Sequence, residues 1–198
     1  MGLDMYLTRK IYFGGEYEHR NISFGNLKEN EEKLTIKQEL INYQTKEVVK
    51  TKTISLSTKD ISQIESRVGY WRKANAIHKW FVDNVQYGND NCKEHWVSEE
   101  KLTELHDTCI QVMTVKEKIL TYVDDEKSIT DEKIKKDDLD KLVELLPSQK
   151  GLFFGSTNYD EYYFQDAEDT IEICNKCLNE LKNNENTFMS EFYYQSSW

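Results

Sequence analysis

The sequence has no apolar run long enough to cross a membrane. A transmembrane helix needs about 18 or more consecutive apolar residues, and no stretch of the 198-residue chain approaches that length. The start, MGLDMYLTRK, also lacks the basic segment followed by an apolar one that marks a secretory signal. We therefore expect no membrane contact and a location in the cytoplasm.

Basic residues are outnumbered by acidic ones, and cysteine and glycine are few. The chain has 26 lysines and arginines against 36 aspartates and glutamates, and its net charge of −10 argues against non-specific DNA binding. Four cysteines without an export signal favour reduced thiols over a disulfide framework. Gly155-Ser156-Thr157 lacks the glycine run and the lysine of a phosphate-binding loop. These absences favour a partner that is recognised by shape rather than by charge alone.

The sequence does contain a clear order of secondary-structure patterns. Residues 2–57 alternate apolar and polar positions with the period of two that is typical of strands, separated by a turn at 14–21. The first strand places five apolar residues on one face: Leu3, Met5, Leu7, Ile11 and Phe13. Later segments show helical spacing at 58–87, at 98–113, before Pro147 and at 166–182, and 187–198 again resembles a strand.

These patterns predict an α+β fold. We expect a single domain over 1–198, in which an antiparallel β-meander of the N-terminal strands packs against three or four helices. Ser57 or Thr58 is the expected cap of the first helix, and Ser98 is the expected start of the next. The charge-rich stretch 124–138 has no apolar period and is predicted to be a mobile excursion.

The stretch VGYWRKANAIHKWFVDNVQYG, residues 68–88, combines two tryptophans, a histidine and several cations. On a helical wheel the apolar residues and His78 form one broad arc, so we expect His78 to be a buried structural residue. Trp80 falls on the opposite side, near Arg72 and Lys73. It is therefore either covered by another segment or exposed as a binding anchor. The candidate partner-binding residues here are Arg67, Arg72, Lys73, Lys79 and Trp80.

A second unusual stretch, FFGSTNYDEYYFQD, places carboxylates among aromatic residues, and the overlapping segment GLFFGSTNYDEYYF predicts a strand and turn. Its candidate partner-binding residues are Tyr159, Asp160, Glu161 and Tyr162. Adjacent acids without a visible nucleophile or second ligand set do not favour catalysis or a cation site. Pairing of Asp160 or Glu161 with the cations of residues 67–73 is the natural structural alternative.

The spacing of cysteine and histidine raises the possibility of zinc. Cys92 and His95 form one pair and His106 and Cys109 another, so the two pairs could close a tetrahedral site. Cys109 lies on the apolar side of a predicted helix, as does Cys174 of a further Cys174-x2-Cys177 pair, where cysteine behaves as a small hydrophobic residue. We therefore predict no bound metal and no cofactor.

Four segments carry a resemblance to a known group of proteins: MGLDMYL, VGYWRKANAIHKWFV, NCKEHWVSEEKL and ELLPSQKGLFFGSTNYDEYYF. Together they resemble a family of small proteins that phages and prophages encode, and the resemblance covers most of the chain outside 14–57 and 114–137. It implies a phage setting in the cytoplasm of a host cell, and no established chemistry. Small acidic phage proteins of this kind are often inhibitors of host defence, including anti-CRISPR proteins.

Three functional hypotheses follow. The first is a non-enzymatic inhibitor that binds a host-defence effector, such as an RNA-targeting type VI CRISPR nuclease, or its guide RNA complex. The second is a nucleic-acid-binding accessory protein that uses the cations of 67–79, against which the net acidity argues. The third is a small hydrolase that uses His78 with Asp160 or Glu161, for which no recognisable motif is present.

Overall fold

The computed structural model describes residues 2–12, 33–42, 44–57, 61–183 and 190–198. Its elements, in chain order, are β1 (Asp4–Tyr12), β2 (Lys33–Ile41), β3 (Val48–Ser57), β4 (Gln63–Arg72), α1 (Asn75–Asn84), β5 (His95–Val97), α2 (Glu99–Leu120), a short 3-10 turn (Glu126–Ser128), α3 (Lys136–Leu145), α4 (Glu161–Asn183) and β6 (Ser190–Ser197). Helices and antiparallel strands in one chain confirm the predicted α+β class.

The chain forms two compact units. One comprises Met1–Lys10, Glu65–Asn186 and Ser190–Trp198, and the other comprises Ile11–Ile64 and Thr187–Met189. The smaller unit contains the hairpin of β2 and β3, whose antiparallel register runs from Lys33 opposite Ser57 to Ile41 opposite Val48. This hairpin confirms the antiparallel pairing that the N-terminal pattern predicts.

A four-stranded sheet has the strand order β4-β1-β6-β5. Leu3, Met5 and Leu7 are fully buried at alternate positions, which confirms the predicted inward face of the first strand. Ile11 is only half-buried, and Phe13 and the turn predicted at 14–21 lie outside the described residues. The last strand, β6, is also confirmed and pairs antiparallel with the short β5, which the sequence did not predict.

The helix predicted over 58–87 is wrong in its first part, because residues 63–72 form β4. Gly69 and Trp71 are buried at alternate positions of this strand. Lys73 then adopts a left-handed backbone with φ of 62°, which ends the strand, and α1 begins at Asn75. Ser57 is the last residue of β3 rather than a helix cap, and Thr58 lies outside the described residues.

The long helices α2 and α4 pack against each other, and α3 packs against α2. Ser98 caps α2 as predicted, since its Oγ accepts the Lys101 N–H at 3.2 Å. α2 extends beyond 113 because its buried stripe continues through Lys116 and Ile119. The short helix before Pro147 and the helix over 166–182 are confirmed as α3 and α4, although α4 begins earlier, at Glu161.

The charge-rich stretch 124–138 packs into the structure more closely than its composition suggests. Ile129 and Ile134 are buried in the core, so two apolar side chains anchor the stretch to the rest of the protein. Its last residue, Asp138, is also buried and accepts hydrogen bonds from Lys118 and from the Tyr122 hydroxyl. These two bonds lower the pKa of Asp138, although burial opposes them. Mobility of the segment stays a prediction.

Candidate functional site

A cleft of about 400 Å³ lies where the end of β4 meets the segment before α4. Its lining includes Arg72, Lys73, Asp160, Tyr162 and Asp166. The neighbouring Trp71 is buried, and its Nε1 donates to Thr170 Oγ1 at 2.8 Å, which fixes α4 against β4. The structure therefore brings together the two stretches that the sequence singled out, 68–88 and 153–166.

Asn75 holds the loop that forms one side of this cleft. Its buried side chain donates from Nδ2 to the Ser156 carbonyl at 2.6 Å and to the Phe154 carbonyl at 3.4 Å. Its Oδ1 accepts the Gln149 N–H at 2.9 Å. All three bonds reach main-chain atoms, so a single side chain at the start of α1 determines the path of the loop over 149–156.

Two residues with left-handed backbones meet at the cleft. Lys73 has φ of 62° and Gly155 has φ of 95°, and a Cβ on Gly155 would lie 3.1 Å from the Lys73 carbonyl oxygen. A left-handed conformation in a non-glycine residue costs about 1 to 3 kcal/mol, and such residues are concentrated at functional sites. This geometry marks the junction as a candidate site independently of its charges.

The cations predicted as one stripe have separate environments. The Arg67 guanidinium lies 4.4 Å from the centre of the Tyr6 ring, and Lys79 pairs with Asp83 at 2.7 Å on α1. Arg72 and Lys73 are exposed at the cleft, and neither side chain forms an ion pair with a residue that the structure describes. Only Arg72 and Lys73 of the predicted stripe therefore line the cleft.

The predicted ion pair between Arg67 or Arg72 and Asp160 or Glu161 is wrong within the described residues. Asp160 instead caps α4, because its Oδ1 accepts the N–H groups of Tyr162 at 3.0 Å and Tyr163 at 3.2 Å. A carboxylate at a helix N-terminus is stabilised by the helix dipole and needs no cation. Asp160 nevertheless shares the cleft with Arg72.

Asp166 is the cleft carboxylate that the sequence did not identify. It is half-buried one and a half turns into α4, and burial raises its pKa to about 7, with further contributions from Asp169 and Asp160. Its side chain accepts no hydrogen bond from any residue in the described part of the chain. A half-buried carboxylate without a donor among the described residues is therefore present in the cleft.

The three other candidate residues of this stretch, Tyr159, Glu161 and Tyr162, have different roles. Tyr159 is buried, and its hydroxyl accepts the Ser148 N–H at 3.2 Å, so the prediction that it contacts a partner is corrected to a structural role. Tyr162 is 71% exposed at the edge of the cleft. Glu161 opens α4 and lines a separate shallow pocket next to Glu126. Of these three residues, only Tyr162 is both exposed and part of the cleft lining.

An apolar knob, Leu152 and Phe153, stands beside the cleft and was not recognised in the sequence. Leu152 is 79% exposed and Phe153 is 57% exposed, two residues before Gly155 of the cleft lining. Phe153 has a left-handed backbone with φ of 66°. The two glycines at 151 and 155 indicate a turn, but the run Leu152-Phe153-Phe154 between them does not show which side chains are exposed, and Phe154 is buried.

Trp80 is buried, with 6% of its surface exposed, so it is not available as an exposed anchor. Its ring meets Phe81 edge to face with centres 5.4 Å apart. The prediction failed because α1 is buried on both sides, whereas the helical wheel assumes one solvent-exposed side. The alternative that another part of the chain covers Trp80 is the correct one.

His78 is fully buried, as predicted, in a chain of polar contacts. Its Nδ1 lies 2.8 Å from the Tyr194 hydroxyl and its Nε2 lies 3.0 Å from Asp90 Oδ2. The other oxygen of Asp90 accepts the Trp198 Nε1–H at 3.1 Å. Both ring nitrogens of His78 are therefore occupied, and Asp160 and Glu161 take no part in this chain.

The candidate zinc residues do not come together. Cys109 is buried among apolar residues, and burial raises the pKa of its thiol to about 12, which disfavours the thiolate that zinc requires. His95 Nε2 lies 3.0 Å from Asn91 Oδ1, and His106 Nδ1 lies 3.0 Å from Asp107. Within the described ranges, no three histidine, cysteine or acidic side chains are grouped so as to hold a metal ion.

Comparison with known proteins gives no relative. A scan against protein-family models, a search of curated proteins and a search of solved structures each found no match to the chain. In the part of the chain that the structure describes, none of the helices has the length and apolar character to span a bilayer.

Proposed function

We propose that this chain is a non-enzymatic binding protein whose recognition surface is the cleft together with the apolar knob beside it. The observation that carries the proposal is the meeting of Arg72, Lys73 and Tyr162 in one cleft, whose lining residue Gly155 follows the exposed Phe153 by two positions. Arginine and large aromatic residues are the side chains that dominate binding energy at protein interfaces. An apolar knob beside a polar cleft is a surface that fits a protein partner.

Charge favours a protein over a nucleic acid as the partner. Asp160 and Asp166 line the same cleft as the two cations, so a phosphate backbone that approached Arg72 would also meet two carboxylates. The net charge of −10 opposes a polyanion over longer distances. Leu152 and Phe153 provide apolar contact area that a protein surface can match.

The resemblance to phage and prophage proteins supplies the setting. On that basis the partner is a host-defence protein in the host cytoplasm, of the kind represented by an RNA-targeting CRISPR nuclease or its guide RNA complex. The protein inhibits by occupying a surface of that effector and performs no chemistry on it. The full burial of His78 supports binding rather than hydrolysis, because a general base must reach the substrate.

A comparative capture experiment tests the proposal. The tagged protein and its variants Phe153→Ser and Arg72→Glu are used to capture host proteins during phage infection, and the captured sets are compared by mass spectrometry. Val143→Ser and Lys141→Glu are matched controls, since both alter exposed residues of α3, away from the cleft lining. We expect a host protein that is retained by the wild type and both controls and is lost with both cleft variants.

The same variants are then assayed for protection of phage against the effector. Loss of protection with Phe153→Ser and Arg72→Glu, at unchanged folded protein levels, supports the surface as the site of action. Capture and protection that are equal for all four variants would show that this surface is not the recognition surface.

A further inference from the structure

The charged residues of the cleft differ in their exposure to solvent. Asp166 and Asp160 are half-buried, whereas Arg72, Lys73 and Tyr162 are exposed. Water therefore solvates the two cations more fully than the two carboxylates. A ligand in the cleft gains most where it pairs with the carboxylates, because these are the less solvated charges.

We infer that the cleft receives a basic side chain, arginine or lysine, from the partner protein. Its cation approaches Asp166 and the free oxygen of Asp160, while main-chain carbonyls or an acidic neighbour on the same partner segment approach Arg72 and Lys73. This inference rests on the proposed function, because it names the chemistry of the partner at the surface proposed above. Nothing in it requires the phage setting.

The unpaired groups in the cleft are the first reason for this choice. Asp166 accepts no hydrogen bond from a described residue, and Arg72 and Lys73 have no carboxylate partner among the described residues. A guanidinium provides several N–H donors in one plane and binds carboxylates in parallel hydrogen bonds. A neutral ligand would leave Asp166 unpaired. An anion could pair with Arg72 or Lys73, which water already solvates, but it would also leave Asp166 unpaired and would be repelled by it.

The shape of the cleft is the second reason. A volume of about 400 Å³ exceeds what one side chain fills, so the cleft also accommodates the main chain next to it. Tyr162 presents an exposed ring at the edge, against which the flat guanidinium can stack as a cation over an aromatic face. Arginine therefore satisfies more of the lining than lysine does.

The protonation of Asp166 adds a pH signature. The charged groups that act on it are Asp169 of α4 and Asp160 just before α4, and Arg72 and Lys73 line the same cleft. Because burial raises its pKa to about 7, the carboxylate that binds a cation is fully formed only above that pH. Binding of a basic group is therefore expected to be about tenfold weaker at pH 6 than at pH 8.

A small probe tests the inference without the partner. N-acetyl-L-arginine amide is titrated into the full-length protein with NMR detection of the Asp166 carboxyl and neighbouring amides, and the uncharged N-acetyl-L-citrulline amide is the control probe. We expect saturable shifts around Asp166 with the arginine probe only, and a fall of the Asp166 pKa toward its ordinary value of 3.8 when the probe is bound. Asp166→Asn removes these shifts, whereas Asp140→Asn, an exposed residue of α3, preserves them.

The outcomes separate the inference from the proposed function. Equal shifts with both probes, or no shift near Asp166 at either pH, would overturn the inference whatever the partner experiments show. Arginine-specific shifts together with partner capture that Phe153→Ser does not affect would support the inference and contradict the proposed surface. For a captured partner, Asp166→Asn should weaken binding at least about tenfold at pH 8 and have little effect at pH 6.

Discussion

Gly69 of β4 lies so close to Ile173 of α4 that a Cβ on Gly69 would stand 2.7 Å from Ile173 Cγ2. The same Cβ would lie 3.2 Å from the Leu7 Cβ of β1. The strand therefore needs glycine here because of packing, since its backbone conformation is open to any residue.

Gly69→Ala should destabilise the protein by about 1 to 3 kcal/mol, because the added methyl group forces apart a closely packed strand and helix. Urea denaturation measures this change. Gly2→Ala is the matched control, because its added Cβ would meet only the Lys73 Cε, at an ordinary 3.6 Å. Equal stability of both variants would mean that β4 and α4 separate easily.

Trp80→Ala should destabilise the protein by about 3 to 5 kcal/mol, as severely as Phe81→Ala, since both remove a buried aromatic ring. Trp96→Ala is the control, because Trp96 is largely exposed on β5 and should change stability by no more than about 0.5 kcal/mol. Chemical denaturation of the three variants provides the measurement. An unchanged free energy of unfolding in Trp80→Ala would contradict the burial of Trp80 and would favour the alternative that it is an exposed anchor.

Asp166→Asn should stabilise the free protein at high pH. The pKa of Asp166 is about 7 in the folded state and 3.8 in the unfolded chain, so Asp166 ionises more readily in the unfolded chain. The free energy of unfolding therefore falls progressively as the pH rises through this interval. At about pH 8 the variant should gain on the order of 1 to 3 kcal/mol over the wild type, and near pH 4 the two should be equal.

Denaturation curves at both pH values test this expectation, with the exposed Asp140→Asn as the control for a changed net charge. A gain that is the same at both pH values would assign the effect to packing rather than to the ionisation of Asp166.

Asn75→Ala should cost about 1 to 3 kcal/mol, because it leaves the Ser156 carbonyl and the Gln149 N–H without their partner. Hydrogen exchange gives a local readout, and the Gln149 amide should exchange faster in this variant. Asn179→Ala, at an exposed position of α4, serves as the control. Unchanged protection of the Gln149 amide would show that the loop holds its shape without Asn75.

Local periodicity was sufficient for the elements whose burial is one-sided. Leu3, Met5 and Leu7 alternate as β1 does, and the apolar spacing of α2 and α4 follows their buried faces. Local periodicity failed at 63–72, because the apolar positions around Trp71 fit both the helical period and the strand period of two. The choice there depends on pairing with β1 and on the approach to Ile173, which are contacts from distant parts of the chain.

The site was predictable in its composition and not in its geometry. Arg72, Lys73, Asp160 and Tyr162 were identified because cations and aromatic residues are unusual in those contexts. Asn75 and Asp166 were missed because their roles depend on which groups fold next to them: main-chain atoms for Asn75, and a shielded environment for Asp166. Neither environment has a signature in nearby residues.

The bonding of Asn75 to main-chain atoms has a consequence for how this surface can change over time. The loop keeps its path through bonds that do not involve the side chains of Leu152 and Phe153. Mutations at these two positions can therefore alter what the knob fits while the frame beneath it persists. Such an arrangement lets the shape and polarity of the exposed surface vary between sequences, while Asn75, Gly69 and Trp80 stay fixed by the demands of folding.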